Sequence, residues 1–111
     1  MKKHDFAELT DALLAFRDAR DWEQFHNPKD LAIALSLEAG ELLEAFLWKG
    51  AQEADPVKIR EELADVIGFA LLLAHKYELD VRQIVLDKIK LNELKYPVEK
   101  AKGTAKKYTE L

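Results

Sequence analysis

The chain has 111 residues, 49% apolar and 34% charged, enough to bury one core and too few for two independent ones. Four glycines and three prolines leave too few turn-formers for an all-β sandwich or barrel, and the absence of cysteine excludes a disulfide framework, a thiolate metal cage and a cysteine nucleophile. The net charge of −4 argues against broad nucleic-acid binding, but it is unevenly spread: residues 1–80 hold 9 basic and 17 acidic side chains, residues 81–111 hold 8 and 4.

The opening stretch MKKHDFAELTD has acids where a secretory leader has an apolar run. The longest nearly unbroken apolar stretch, residues 66–74, is far short of the roughly 20 residues of a membrane span. A cytoplasmic protein with no membrane partner is expected. Between residues 5 and 20, Phe6, Leu9, Leu13 and Phe16 recur at three- and four-residue steps, the period of an amphipathic helix. Residues 21–29 break that period and read as a loop, carrying Pro28, a residue suited to open the next helix. Helix two is expected from Pro28 to Trp48, stopping near Gly50, with Leu31, Ala34, Leu35, Leu42, Ala45 and Phe46 on one side.

Asp55 before Pro56 has the order of an N-cap followed by proline at the first helical position, so helix three is expected from there to about Tyr77. Its second half, VIGFALLLA, is apolar on all sides, as in a central helix or one that also contacts another subunit. Asp80 is placed to cap helix four, which Pro97 stops. The fold class is therefore all-α, an antiparallel four-helix bundle completed by oligomerisation. The helical domain spans residues 1–97, and residues 98–111 form a basic, mobile tail with no helix of its own.

Chemistry is suggested by acids on the wrong face. Glu38 stands three residues after Leu35, and Glu41 four before Ala45, so both lie on or beside the apolar stripe of helix two. Glu62 and Asp65 repeat the pattern on helix three, four residues before Val66 and Phe69 respectively. Antiparallel packing brings the two pairs face to face, and four carboxylates in a low-dielectric interior need a cation. An all-oxygen, hard ligand set selects magnesium, with manganese as substitute. Gly40, between the first pair, suggests close approach of another backbone or a ligand. On helix four, Lys88, Asn92 and Tyr96 form a polar track, suited either to phosphate oxygens or to a lysine snorkelling along the bundle. Trp22 and Trp48 bracket helix two, as core plugs or as faces on which a nucleobase stacks. His26 reads as a capping or surface residue.

The segments DWEQFHNP, SLEAGELLEAFLWKG, EELADVIGF, KIKLNELKYP and GTAKKYT resemble the all-α nucleoside triphosphate pyrophosphohydrolases of the MazG type, in particular their dCTP-pyrophosphatase-like branch. The resemblance implies hydrolysis of a nucleoside triphosphate between the α and β phosphates, preferring dCTP or related deoxynucleotides, in the service of nucleotide-pool house-cleaning. It implies magnesium on Glu38, Glu41, Glu62 and Asp65. Within that cluster Glu41 is the candidate base toward the attacking water. The resemblance further implies nucleotide contacts from Lys88, Asn92 and Tyr96, a base pocket lined by Trp22 and Trp48, and a homodimer or homotetramer. Lys106, Lys107 and Tyr108 in GTAKKYT join the expected substrate contacts, although lysines in a tail are usually just solvated. One departure concerns Leu13, which stands where close relatives carry histidine, and broader base selectivity is expected from it. The competing expectation is a non-catalytic helical module for dimerisation or nucleotide sensing.

Overall fold

The computed structural model describes residues 5–111; residues 1–4, with the Lys2–Lys3 pair read above as no secretory leader, lie outside the described residues. Among the described residues the chain is all-α, with no strand. Helix α1 is Asp5–Ala19, α2 Pro28–Glu44, α3 Pro56–Lys76, α4 Val81–Lys95 and α5 Val98–Ala101, with short 3-10 turns at Glu23–Phe25 and Tyr108–Glu110. None of these helices is long and apolar enough to cross a membrane.

Local chemistry sets the helix starts. The Asn27 Oδ1 accepts from the Asp30 N–H at 2.9 Å while its Nδ2 donates to Asp30 Oδ2 at 2.7 Å, and Pro28 supplies a pre-set φ. Asp55 Oδ1 accepts from the Val57 N–H at 2.9 Å, and Asp80 Oδ1 from the Gln83 N–H at 3.0 Å, as their sequence positions suggested.

Two helix ends use a device that the sequence does not advertise. After α1 the Trp22 N–H donates to Arg17 O and the Asp21 N–H to Asp18 O, with Asp21 at φ +54°. After α3 the Leu79 N–H donates to Ala74 O and the Glu78 N–H to His75 O, with Glu78 at φ +54°. Both are Schellman closures in which a non-glycine residue takes the left-handed position. Helix α2 ends at Glu44, short of the expected Trp48. Its last turn tightens into i→i+3 bonds, Phe46 N–H to Leu43 O at 2.9 Å and Leu47 N–H to Glu44 O at 3.2 Å, and Trp48 turns left-handed at φ +62°.

The chain divides into two compact units after Leu79. In the first, α3 packs against both α2 and α1, and the buried core is Leu31, Ala45, Ala54, Leu71, Leu72 and Ala74. The apolar run of α3 is only partly covered: Leu71, Leu72 and Ala74 are buried, whereas Ile67 and Ala70 are exposed. In the second unit, Asp80–Leu111, α4 has no buried residue, and Ile84, Val85, Leu86, Ile89, Leu91 and Leu94 are all exposed.

The segment 98–111, expected without helix, carries α5 and the second 3-10 turn. Pro97 does more than stop α4: its carbonyl accepts from the Lys100 and Ala101 N–H groups at 3.0 and 2.9 Å and so opens α5. Tyr108 returns to α4, its ring 5.9 Å from that of Tyr96 in an edge-to-face pair and 5.0 Å from Lys95 Nζ.

Candidate functional site

Glu38 and Glu41 from α2 and Glu62 from α3 each present a carboxylate oxygen within 4.8 Å of the others. Their environments differ. Glu62 is buried at 6% exposure, Glu38 is half-buried and Glu41 is exposed. Burial pushes the Glu38 carboxyl up to about 7, and hydrogen bonding with Glu41 and Glu62 and the charges of Glu41 and Asp65 push the same way. Glu62 is held low, chiefly by its ion pair with Lys58, whose Nζ lies 2.7 Å from Glu62 Oε1, against the opposing effect of burial. The same pair raises Lys58. Charge is thus divided within the group: Glu62 ionised against a lysine, Glu38 retaining a proton near neutrality.

Two atoms are left over. Glu38 Oε2 and Glu62 Oε2 are buried and have no hydrogen-bond partner. A buried carboxylate oxygen without a donor is costly, and a divalent cation is the partner that satisfies several such oxygens at once. The residues present therefore fit a hard divalent metal ion. At Gly40 a built Cβ meets nothing within 4 Å, so no other part of this chain approaches it.

Next to the acids, α1, the following loop and α3 enclose an apolar pocket of about 180 Å³, and Asp65 on its wall connects it to the acids through its charge on Glu38. Trp22 lines it, its ring edge-to-face with Phe16 at 5.8 Å, together with Leu13, Arg17, His26, Gly68, Phe69 and Leu72. Arg20, stacked 3.6 Å over the Phe16 ring, braces the outside of the pair. An aromatic-walled pocket joined to a carboxylate group is suited to hold a flat ring near a cation-bound polyanion.

Residues 33–111 match the model of the MazG-like family. The chain belongs to the MazG-like family. It is 41% identical over 104 residues to dCTP pyrophosphatase 1 of Mus musculus and 40% identical over the same length to that of Homo sapiens, covering 86% of this chain. The chain spans about three-fifths of the length of these relatives, 61% in each. Among solved structures it is similar to a pyrophosphatase from Archaeoglobus fulgidus, with a TM-score of 0.80, 38% identity, and coverage of 87% of this chain and 96% of that one.

In this MazG-like chain the structure brings together Glu38, Glu41 and Glu62. Asp65, exposed on α3, stands outside that close group, between it and the Trp22 pocket. Trp48 is fully exposed, at 100%, in the turn after α2 and does not line the pocket with Trp22. Lys88, Asn92 and Tyr96 are on α4 or its C-cap, and Tyr96 and Tyr108 meet; Lys106 and Lys107 are exposed just before the final turn.

Two residues of the site were not singled out in the sequence, and a third was set aside. Arg17 falls four residues after Leu13, on the apolar stripe of α1, so its position alone marked it as unusual. Lys58 precedes Glu62 by four, the spacing of a helical ion pair. For His26, set aside as a surface or capping residue, no sequence signal exists; only the return of the loop onto Phe69, ring centroids 6.5 Å apart, places it in the pocket.

Proposed function

We propose that the protein is a magnesium-dependent nucleoside triphosphate pyrophosphohydrolase that converts a triphosphate and water to the monophosphate and pyrophosphate, preferring dCTP or a related deoxynucleotide. The observation that carries this reading is the pair of unpartnered buried oxygens on Glu38 and Glu62, in a carboxylate group joined by Asp65 to an aromatic pocket. Membership of the MazG-like family and 41% identity to a dCTP pyrophosphatase 1 supply the reaction class and the substrate.

In this reading Glu38, Glu41, Glu62 and Asp65 hold the metal ion, for which manganese can substitute. Bound magnesium supplies neutralisation of the triphosphate and acidification of a water molecule. Glu41, the most accessible of the close three, accepts a proton from the water that attacks the α phosphorus; the bond from that phosphorus to the bridging oxygen breaks, and pyrophosphate leaves. Trp22 stacks on the base. Trp48, Lys88, Asn92, Tyr96, Lys106, Lys107 and Tyr108 are further contacts to the nucleotide. Residues 1–97 form the helical catalytic domain and residues 98–111 a basic appendage; the active species is a homodimer or homotetramer in the cytoplasm.

The test is a panel of ribo- and deoxyribonucleoside triphosphates with magnesium and product identification. Monophosphate and pyrophosphate, formed fastest from dCTP, are expected. Orthophosphate as product, or ribonucleotides hydrolysed faster than dCTP, overturns the assignment of bond or substrate. Binding without turnover leaves the nucleotide-sensing module.

A further inference from the structure

Arg17 is a buried cation on the wall of the Trp22 pocket. It is only 7% exposed, yet both its carboxylate partners are exposed residues on one side of it: Asp18 Oδ1 takes Nε and Nη2, each at 2.8 Å, and Glu23 Oε2 lies 3.8 Å from Nη2. Among the described residues the buried side-chain atoms without a partner are His26 Nδ1, Glu38 Oε2 and Glu62 Oε2, and no nitrogen of Arg17 is one of them. A guanidinium held out of water in an apolar wall is unfavourable unless its remaining donors find acceptors. His26 lines the same pocket, and its Nδ1 is buried and has no partner. The remaining walls are aromatic and aliphatic. The pocket thus holds a fixed donor and an uncommitted ring nitrogen, and both are oriented by residues that do not belong to the acid group.

We propose that Arg17 and His26 read the edge of the base, Arg17 donating to the O2 and N3 acceptors of a cytosine ring and His26 Nδ1 accepting from its exocyclic amino group. The inference rests on the function proposed above. Thymine keeps the O2 acceptor but reverses the other two positions: its N3–H faces a guanidinium that can only donate, and its O4 faces a ring-nitrogen lone pair. Stacking on Trp22 favours any base, so discrimination between pyrimidines falls to these two side chains. The neutral imidazole that this role requires is favoured at His26 by burial and by the charges of Arg17 and Lys76. Arg17 and His26 are specificity residues, acting on the base and remote from the bond that breaks.

The test compares kcat/KM for dCTP and dTTP in the wild type, Arg17→Met, Arg17→Lys and His26→Phe, with a melting curve for each. Loss of hydrogen bonds to a charged donor is typically worth about 10-fold or more, so the dCTP to dTTP ratio should fall by at least about 10-fold in Arg17→Met, mainly through KM. Arg17→Lys, which keeps the charge and loses the fork, should fall between. His26→Phe should lower the ratio while keeping the ring contact to Phe69. A purely structural role for Arg17 lowers the melting temperature and both specificity constants together and leaves the ratio unchanged, which overturns the proposal. If Arg17→Met does not fold, Arg17→Lys and His26→Phe decide. If the wild type hydrolyses no triphosphate, the functional reading fails separately, and calorimetric binding of dCMP against dTMP to the same proteins decides base reading: a preference for dCMP lost in the variants supports it, and equal binding overturns it.

Discussion

At the scale of single residues, the acid group is arranged against itself. Glu38 is pushed up to about 7 mainly by burial, and its Oε2 shares with Glu62 Oε2 the lack of any donor. Converting Glu38 or Glu62 to glutamine, or Asp65 to asparagine, should lower magnesium-dependent turnover by at least about 100-fold, as removal of a metal ligand or its support does. The Glu38→Gln change should also raise the melting temperature of the metal-free protein, because it removes a carboxyl that burial and its neighbours keep from ionising freely. Near wild-type turnover, or an unchanged metal-free melting curve, would contradict these expectations in turn. His26 gives a pH signature of the opposite kind. Burial, Arg17 and Lys76 hold it below 6.5, with Asp65 the acid on the same pocket wall. The unfolded chain therefore takes up the proton first, and stability is lost as pH falls from 6.5 toward the folded-state value. Melting curves between pH 7.5 and 5 should show a shallower decline in His26→Gln than in the wild type; parallel declines would remove His26 as the cause.

At the scale of elements, two substitutions separate local propensity from packing. A methyl group at Gly40 meets nothing within 4 Å, and the residue lies inside α2, so Gly40→Ala should stabilise by about 1 kcal/mol, read as a rise of several degrees in melting temperature. Asn27→Ala removes the Oδ1 acceptor and the reciprocal bond to Asp30, and should cost about 1 kcal/mol in the same measurement. The starts of α2, α3 and α4 were legible because a cap is a local event: Pro28, Asp55 with Pro56, and Asp80 each act within three residues. The ends were less so. Asp21, Trp48 and Glu78 take positive φ, where sequence leads one to look for glycine, and Gly50 marked the end of α2 six residues too late. Helical period placed Glu38, Glu41, Glu62 and Asp65 on inward faces, which needs only the registers of two adjacent helices; the first three meet, while Glu41 and Asp65 are exposed and Asp65 stands apart. The period could not place His26 against Phe69 or leave Trp48 fully exposed, since those depend on how loops return to the bundle.

At the scale of the whole molecule, the open question is what covers the apolar surface. In the first unit a groove of about 480 Å³ is lined by Leu9, Ala12, Leu13, Phe16, Ala64, Ile67, Gly68 and Leu71, every one of them apolar or glycine. In the second, Leu94 is 80% exposed on a helix with no buried residue. Scattered apolar residues on a surface are ordinary, whereas a contiguous apolar groove is the kind of surface on which another chain docks. A second copy of the chain is the occupant that the prediction tests. The groove also shares Leu13, Phe16, Ala64 and Gly68 with the Trp22 pocket, so whatever seats there borders the pocket. Association and activity should therefore be lost together. Sedimentation at micromolar concentration should show a dimer or tetramer for the wild type. Ile67→Glu, which places a charge in the groove 44% exposed in the single chain and removes no residue of the acid group, should sediment as a monomer, keep its helical circular dichroism, and raise KM for dCTP by about 10-fold or more. A wild-type protein that sediments as a stable, active monomer would remove the need for a second copy. An Ile67→Glu variant that is monomeric with unchanged KM would show that the pocket closes without one.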